Sequence, residues 1–228
     1  MSTLADNLSA ISARIASAAQ AAGRDPASVR LLAVSKTKPA SAIREIHAAG
    51  VCNVGENYLQ EALTKQQALS DLPLIWHFIG PIQSNKTKAI AEHFAWVHSV
   101  DRLKIAQRLS EQRPAGLAPL NICLQVNVSG EDSKSGCAPA DLPALAKAVA
   151  ALPNLRLRGL MAIPEPTDDR TAQEAAFATL RQLQDGLGLG LDTLSMGMSH
   201  DLEAAIAQGA TWVRIGTALF GARDYGQP

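Results

Sequence analysis

The feature that most constrains the fold is an alternation that runs almost the full length of the chain. A short run of β-branched and aliphatic residues is followed by an Ala-rich segment with apolar residues every three to four positions, and then the next short run begins. Period-two and period-3.6 patterns in succession describe strand, helix, strand, helix. That order marks a parallel α/β fold, because parallel neighbours need a crossover and the crossover is usually a helix. The apolar runs place strands at Arg30–Val34, Val51–Gly55, Leu74–Ile79, Trp96–Ser99, Asn121–Asn127, Leu155–Met161, Asp192–Leu194 and Thr211–Ile215. Helical periodicity falls near Ala40–Ala49, Tyr58–Leu69, Asn85–His93, Asp101–Gln112, Ala140–Ala150, Thr171–Leu187 and His200–Gln208. Ahead of the first strand, Leu4, Leu8, Ile11 and Ile15 lie at helical spacing and the pattern stops near Gly23, before the Asp25-Pro26 break. Eight strands in 228 residues favour a single (β/α)8 TIM barrel, with the extra N-terminal helix packed behind the last strand. An open doubly wound sheet, which needs fewer strands, is the competing architecture.

Composition narrows the function classes. Lysine and arginine total 21 and so do aspartate and glutamate, so the formal net charge is zero, and no block of like charge interrupts the chain. This argues against a general nucleic-acid or anionic-membrane binder, whose affinity comes from clustered cations. At 47% hydrophobic and 18% charged, the chain can bury a large core, and at 4% aromatic that core is mostly Ala, Leu, Val and Ile. Cys52, Cys123 and Cys137 form no CxxC pair and leave one thiol over in any disulfide scheme, which favours a reduced cytoplasm. No apolar run reaches membrane-spanning length and the N-terminus lacks a signal-peptide pattern. The expectation is one domain over residues 1–228. The glycines between Gly186 and Gly190 precede a strand where a dinucleotide fingerprint would follow one, so they read as a helix stop.

In such a barrel the chemistry belongs just past the strand ends. After the first strand comes Ser35-Lys36-Thr37-Lys38-Pro39. A lysine in a barrel mouth is partly desolvated, and a cationic neighbour such as Lys38 lowers its amine pKa further, making Lys36 a better nucleophile toward an aldehyde. The alternative is a strand-end lysine that points into solvent. After the seventh strand, Met196-Gly197-Met198-Ser199-His200-Asp201, and after the eighth, Gly216-Thr217, both look like phosphate-cradling turns. Ser199 could equally be a plain N-cap. Asp201 suits a helix N-terminus but repels phosphate, so it should point away. Glu56-Asn57-Tyr58 and Asp132-Ser133-Lys134 are weaker strand-end candidates. His77 reads as a satisfied core or rim histidine, and His93 and His98 have no third ligand at metal spacing. No HExxH, Walker loop or GxSxG elbow occurs. A Schiff-base-competent lysine beside a two-loop phosphate cradle defines a ligand class, a phosphorylated aldehyde or ketone. Two members fit: a sugar phosphate, in a class I aldolase, and pyridoxal 5′-phosphate (PLP).

The segments AVSKTKP (33–39), GENYLQE (55–61), WHFIGPIQSNK (76–86), QVNVSGEDSKSG (125–136), RGLMAIP (158–164), LSMGMSHDLEAAIAQGATWVRIGTALFG (194–221) and ARDY (222–225) resemble the YggS/PROSC family of pyridoxal phosphate homeostasis proteins. The resemblance runs from about Leu31 to Tyr225. It implies a barrel like the N-terminal domain of alanine racemase, with PLP as the cofactor in an internal aldimine on Lys36. It also implies that Ser199, the Met198 backbone, Gly216 and Thr217 hold the phosphate. Arg214 would reach the pyridine nitrogen, and Asn57 and Met161 would line the ring's pocket. Family members often continue past ARDY with lysines where this sequence reads Gly226-Gln227-Pro228, leaving Lys38 and Lys134 to supply positive charge near the mouth.

The resemblance further implies a carrier that buffers PLP and passes it transiently to PLP-dependent apoenzymes. An arginine on the ring nitrogen leaves that nitrogen unprotonated and the ring a poor electron sink. The alternative is a racemase-like enzyme acting on a small amino acid. Bacterial racemases of this kind carry a second base, a tyrosine, on a separate domain of the partner subunit. Here only Tyr58 and Tyr225 exist, with no room for a second domain, and Tyr58 is the one tyrosine worth testing as a base. The expected form is a cytoplasmic monomer without a metal site.

Overall fold

The computed structural model describes residues 3–130 and 135–221. Eight parallel strands close on themselves in sequence order: β1 (Arg30–Val34), β2 (Asn53–Glu56), β3 (Ile75–Phe78), β4 (Trp96–Val100), β5 (Leu120–Gln125), β6 (Leu155–Met161), β7 (Thr193–Ser195) and β8 (Trp212–Ile215). Closure is made by β1 on β8, with Arg30 to Ala33 in register with Trp212 to Ile215. The helices are α1 (Leu4–Ala21), α2 (Ala40–Ala48), α3 (Leu59–Ala68), α4 (Thr87–His93), α5 (Leu103–Gln112), α6 (Leu142–Ala150), α7 (Arg170–Gly186), α8 (Leu202–Ala207) and α9 (Thr217–Phe220). The doubly wound alternative is thereby excluded. Among the described residues no helix is long and apolar enough to cross a membrane.

The leading helix has a specific task. Thr3 caps it in a reciprocal box, its hydroxyl accepting from the Asp6 amide at 3.1 Å while the Asp6 carboxylate accepts from the Thr3 amide at 2.9 Å. Its buried face is Ile11, Ile15 and Ala19, and it packs on α8 and α9, the helices flanking β8. With α9 only four residues long, α1 covers the seam that a full eighth helix would otherwise close.

Between strands and helices lies an aliphatic layer that includes Ala33, Ile46, Ile90, Val97, Leu124, Leu160 and Val213. Inside the barrel the filling is different. At the end where the strands begin, Trp96 and Trp212 sit with ring centroids 5.9 Å apart, and His77 stacks on Trp96 at 5.5 Å. Arg158 lies over Trp96 at 4.8 Å and Arg30 over Trp212 at 5.4 Å, so this end is plugged. Leu32, Val34 and Ile79 continue the packing toward the other end. Only the end after the strands is open, which is where a barrel builds its site.

The strand pairing tolerates no side chain at Gly159. A Cβ there would stand 1.7 Å from the Thr193 carbonyl oxygen, a backbone atom of the adjoining strand. Gly159→Ala is therefore expected to destabilise the barrel by about 3 kcal/mol or more, read by urea unfolding, since β6 and β7 must part to accept the methyl.

Candidate functional site

At the open end a cavity of about 270 Å³ is lined by Val34, Lys36, Asn57, Ile79, Ile163, Met198, Ser199, His200, Arg214, Gly216 and Thr217. Small-molecule sites span roughly 300–1,000 Å³, so this one suits a compact ligand. A larger groove of about 600 Å³ lies outside the barrel between α1, α7 and α8, but it is walled mainly by alanines, and its Arg14 and Glu203 are paired to each other.

Lys36 is half-buried and lines the cavity. The turn that carries it is braced on both sides. Ser35 is fully buried; its hydroxyl donates to Glu56 and its carbonyl accepts from Lys65 Nζ at 2.7 Å. Thr37 has φ +64°, a left-handed conformation that costs a β-branched residue free energy, and its amide donates to Glu61 Oε1 at 2.6 Å. Lys65 joins the two carboxylates, at 2.7 Å from Glu56 and 2.6 Å from Glu61. Burial pushes the Glu56 carboxyl pKa up, against the pull of Lys65. Lys38 borders a separate groove with Thr37, Pro39, Glu61 and Lys65.

Arg214 forms part of the cavity floor. It is buried, and its guanidinium donates to three uncharged acceptors: Ser195 O at 2.7 Å, Ser195 Oγ at 2.9 Å and Ala162 O at 2.9 Å. Burial lowers its pKa to about 10, partly offset by Asp201, so it is charged at neutral pH. Asn57 is held against the loop after β3, where Gly80 admits the close approach; a Cβ at Gly80 would lie 2.2 Å from the Asn57 carbonyl oxygen. The Asn57 side-chain oxygen is shielded from solvent and has no partner among the described residues, which leaves it as an acceptor for a ligand.

The two loops expected to cradle phosphate do meet. The Ala218 amide, in the first turn of α9, donates to Ser199 Oγ at 3.4 Å, and Gly216 and Thr217 stand beside it in the lining. Met198 lines the cavity, and its amide has a partner within its own loop. It donates to Asp201 Oδ1 at 2.6 Å, which also explains how Asp201 sits buried without facing an anion. Met161 lies outside the lining, fully buried with Trp96 and Cys123, and Ile163 two residues later takes its place. Tyr58 is exposed at the head of α3. Lys134, Tyr225 and the tail after it lie outside the described residues.

Some contributors had no signal in the sequence reading. Arg14 of α1 pairs with Glu203 and donates to the Ser199 carbonyl at 3.0 Å, and Asn7 donates to the Leu219 carbonyl at 2.9 Å, so the leading helix buttresses both loops. His200 lines the rim directly after Ser199. Val34, Ile79 and Ile163 could have been found by counting every second residue along each strand and one step beyond. His77 and His98 are buried and bonded to each other, as the core reading of His77 requires.

The family "Alanine racemase, N-terminal domain" matches residues 7–224. A pyridoxal phosphate homeostasis protein of Pseudomonas aeruginosa is 79% identical over 228 residues, covering 100% of this chain and 99% of that one. The protein of the same name from Escherichia coli is 54% identical over 234 residues, with 99% of each chain covered. The solved structure of PipY from Synechococcus elongatus with PLP bound superposes with TM-score 0.85 at 42% identity, covering 96% of this chain and 100% of that one. An alanine racemase from Corynebacterium glutamicum shares the fold at TM-score 0.68 and 18% identity, covering 97% of this chain and 63% of that one.

Proposed function

The chain belongs to the pyridoxal phosphate homeostasis proteins built on the alanine racemase N-terminal fold, and from that premise we propose that it binds PLP in the barrel mouth as a Schiff base on Lys36 and serves to buffer PLP and hand it to apoenzymes. The observation that carries this reading is the convergence of a half-buried lysine, a buried guanidinium and two hydroxyl-bearing loops on one cavity of about 270 Å³. Bound there, PLP would supply an aldehyde that condenses reversibly with amines. The Lys36 amine would attack that carbon, forming C=N and releasing the carbonyl oxygen as water. Ser199 and Thr217 hydroxyls and the first-turn amides of α9 would hold the phosphate, and Asn57 offers its unpartnered oxygen to the ring's polar edge. Arg214, a permanent donor, would present an N–H to the ring nitrogen and keep a second proton off it.

Storage rather than turnover is favoured by what faces Lys36. The described lining holds His200 but no tyrosine, and Tyr58 is 56% exposed, which supports storage over the tyrosine-based racemase reading. In D2O, the PLP-loaded protein is expected to leave the α-hydrogen of small amino acids unexchanged; steady washout would favour the enzyme instead. Free thiols at Cys52, Cys123 and Cys137 accord with the proposed cytoplasmic setting, and a monomer is the proposed form.

The phosphate assignment has its own test. Ser199→Ala combined with Thr217→Ala removes two charge-assisted hydrogen bonds, together worth about 3 kcal/mol, so PLP affinity should fall about 100-fold while affinity for unphosphorylated pyridoxal barely moves. Equal losses for the two ligands would place the phosphate elsewhere.

A further inference from the structure

Beneath the cavity, three buried side chains and one half-buried one form a chain that ends on Arg214. Arg214 Nη1 lies 2.9 Å from Ser195 Oγ, Ser195 Oγ 2.7 Å from His98 Nδ1, His98 Nε2 2.9 Å from His77 Nδ1, and His77 Nε2 3.0 Å from Asn53 Oδ1. The strands they come from, β8, β7, β4, β3 and β2, span most of the barrel.

The charged end favours one direction for these bonds. A guanidinium only donates, so Ser195 Oγ must accept from Arg214 and send its own hydrogen elsewhere; the acceptor in reach is His98 Nδ1. His98 Nδ1 is then bare, its proton is on Nε2, and Nε2 donates to His77 Nδ1. His77 in turn carries its proton on Nε2 and donates to the Asn53 oxygen, which is the group facing it. In that direction both imidazoles are neutral in the same tautomer. In the opposite direction the Ser195 oxygen could accept from both Arg214 and His98, but the serine hydrogen, in a fully buried side chain, would lose this acceptor. Four hydrogen bonds aligned in one sense reinforce one another and turn their negative ends toward the guanidinium. That matters because all three acceptors bonded to Arg214 are uncharged.

We propose that Ser195, His98 and His77 are positioning residues for Arg214: their one-way relay fixes the guanidinium and the charge it presents to the cofactor's ring nitrogen, and so sets the protonation balance of the Schiff base on Lys36. This rests on the reading above that Arg214 faces that nitrogen. The titratable and charged groups around the relay are Arg30, Cys123, Asp201 and Arg214, with Arg158 behind Trp96. Burial, reinforced by Arg30, holds the His77 pKa at about 3, and burial with His77 and Arg214 holds that of His98 well below its usual value, in accord with a relay that stays neutral.

Two measurements test it. In protein with ¹⁵N-labelled histidine and no cofactor, both buried rings are expected as the neutral Nε2–H tautomer from pH 8 down to about 5. A ring that carries its proton on Nδ1, or that titrates in this range, overturns the relay whatever the ligand. In PLP-loaded protein, Ser195→Ala is expected to keep a borohydride-reducible adduct but to move the pH midpoint of its visible band by about one unit, in the same direction as Arg214→Gln. The double variant should move no further than Arg214→Gln alone. An unmoved midpoint, or shifts that add, overturns the positioning role. Absence of a reducible adduct in the unsubstituted protein overturns the Lys36 reading instead, and the histidine spectra then still judge the relay by itself.

Discussion

Lys36→Ala is expected to abolish the visible band that PLP gives with this protein and to leave nothing for borohydride to trap. Lys36 is the lysine in the cavity lining. The other nearby amines are placed differently: Lys65 is buried in bonds to Ser35, Glu56 and Glu61, and Lys38 borders the outer groove. The variant should fold normally. The turn is held by the Ser35 hydroxyl and carbonyl and the Thr37 amide, none of which belongs to the Lys36 side chain, so stability should stay within about 1 kcal/mol. Phosphate contacts remain, so PLP should still bind weakly and reversibly and come away on dialysis. Lys38→Ala is expected to keep the band. A Lys36→Ala protein with the unsubstituted protein's spectrum would move the attachment to another lysine.

The second large effect is acid destabilisation well above the carboxylate range. His77 is held at about pKa 3 in the folded chain, chiefly by burial and then by Arg30, against about 6.5 unfolded. His98 is shifted in the same direction, by burial first and then by His77 and Arg214. Below pH 6.5 the unfolded chain takes up protons that the folded one refuses, so stability is complete above that value and is lost as pH falls from 6.5 toward the folded values. At about 1.4 kcal/mol per unit, His77 alone removes about 2 kcal/mol by pH 5, and His98 adds to it. Carboxylates with lowered pKa, such as Asp6, Asp71, Asp192 and Glu203, contribute only at more acid pH, and Glu56, raised by burial, acts in the opposite sense, so the loss expected between 6.5 and 5 is the histidines'. Urea midpoints at pH 8, 6.5 and 5 read the effect. A midpoint unchanged down to pH 5 would mean that these rings accept protons in the folded barrel.

The strands were legible because period-two runs between Ala-rich segments leave little freedom; β1 and β6 match the expected bounds and β7 is displaced by one residue. Helix starts were less so. α4, α5, α6 and α8 begin about two residues later than periodicity suggests; the lead-in to α4 is a tight turn at Ser84–Lys86, and that to α8 is a loop in which Asp201 binds the Met198 amide. α9 is a single turn, too short to show a period. Lys36, Asn57, Met198, Ser199, Arg214, Gly216 and Thr217 were found because strand ends and quoted motifs locate them, and all line one cavity. Met161 was one inward step too deep, and the register that would have shown this exists only once the barrel is closed. The same holds for Arg14 reaching Ser199 across 185 positions, and for the histidine pair, whose bond links neighbouring strands. Local pattern carries elements and loops; contacts made by closure have no local trace.

Borohydride reduction of the PLP-loaded protein, followed by peptide mass mapping, tests the attachment most directly. The expected result is loss of the visible band and one phosphopyridoxyl group, on the peptide that contains Lys36. A reduced adduct on another lysine, or a protein that stays colourless and unmodified after PLP is added, would contradict it.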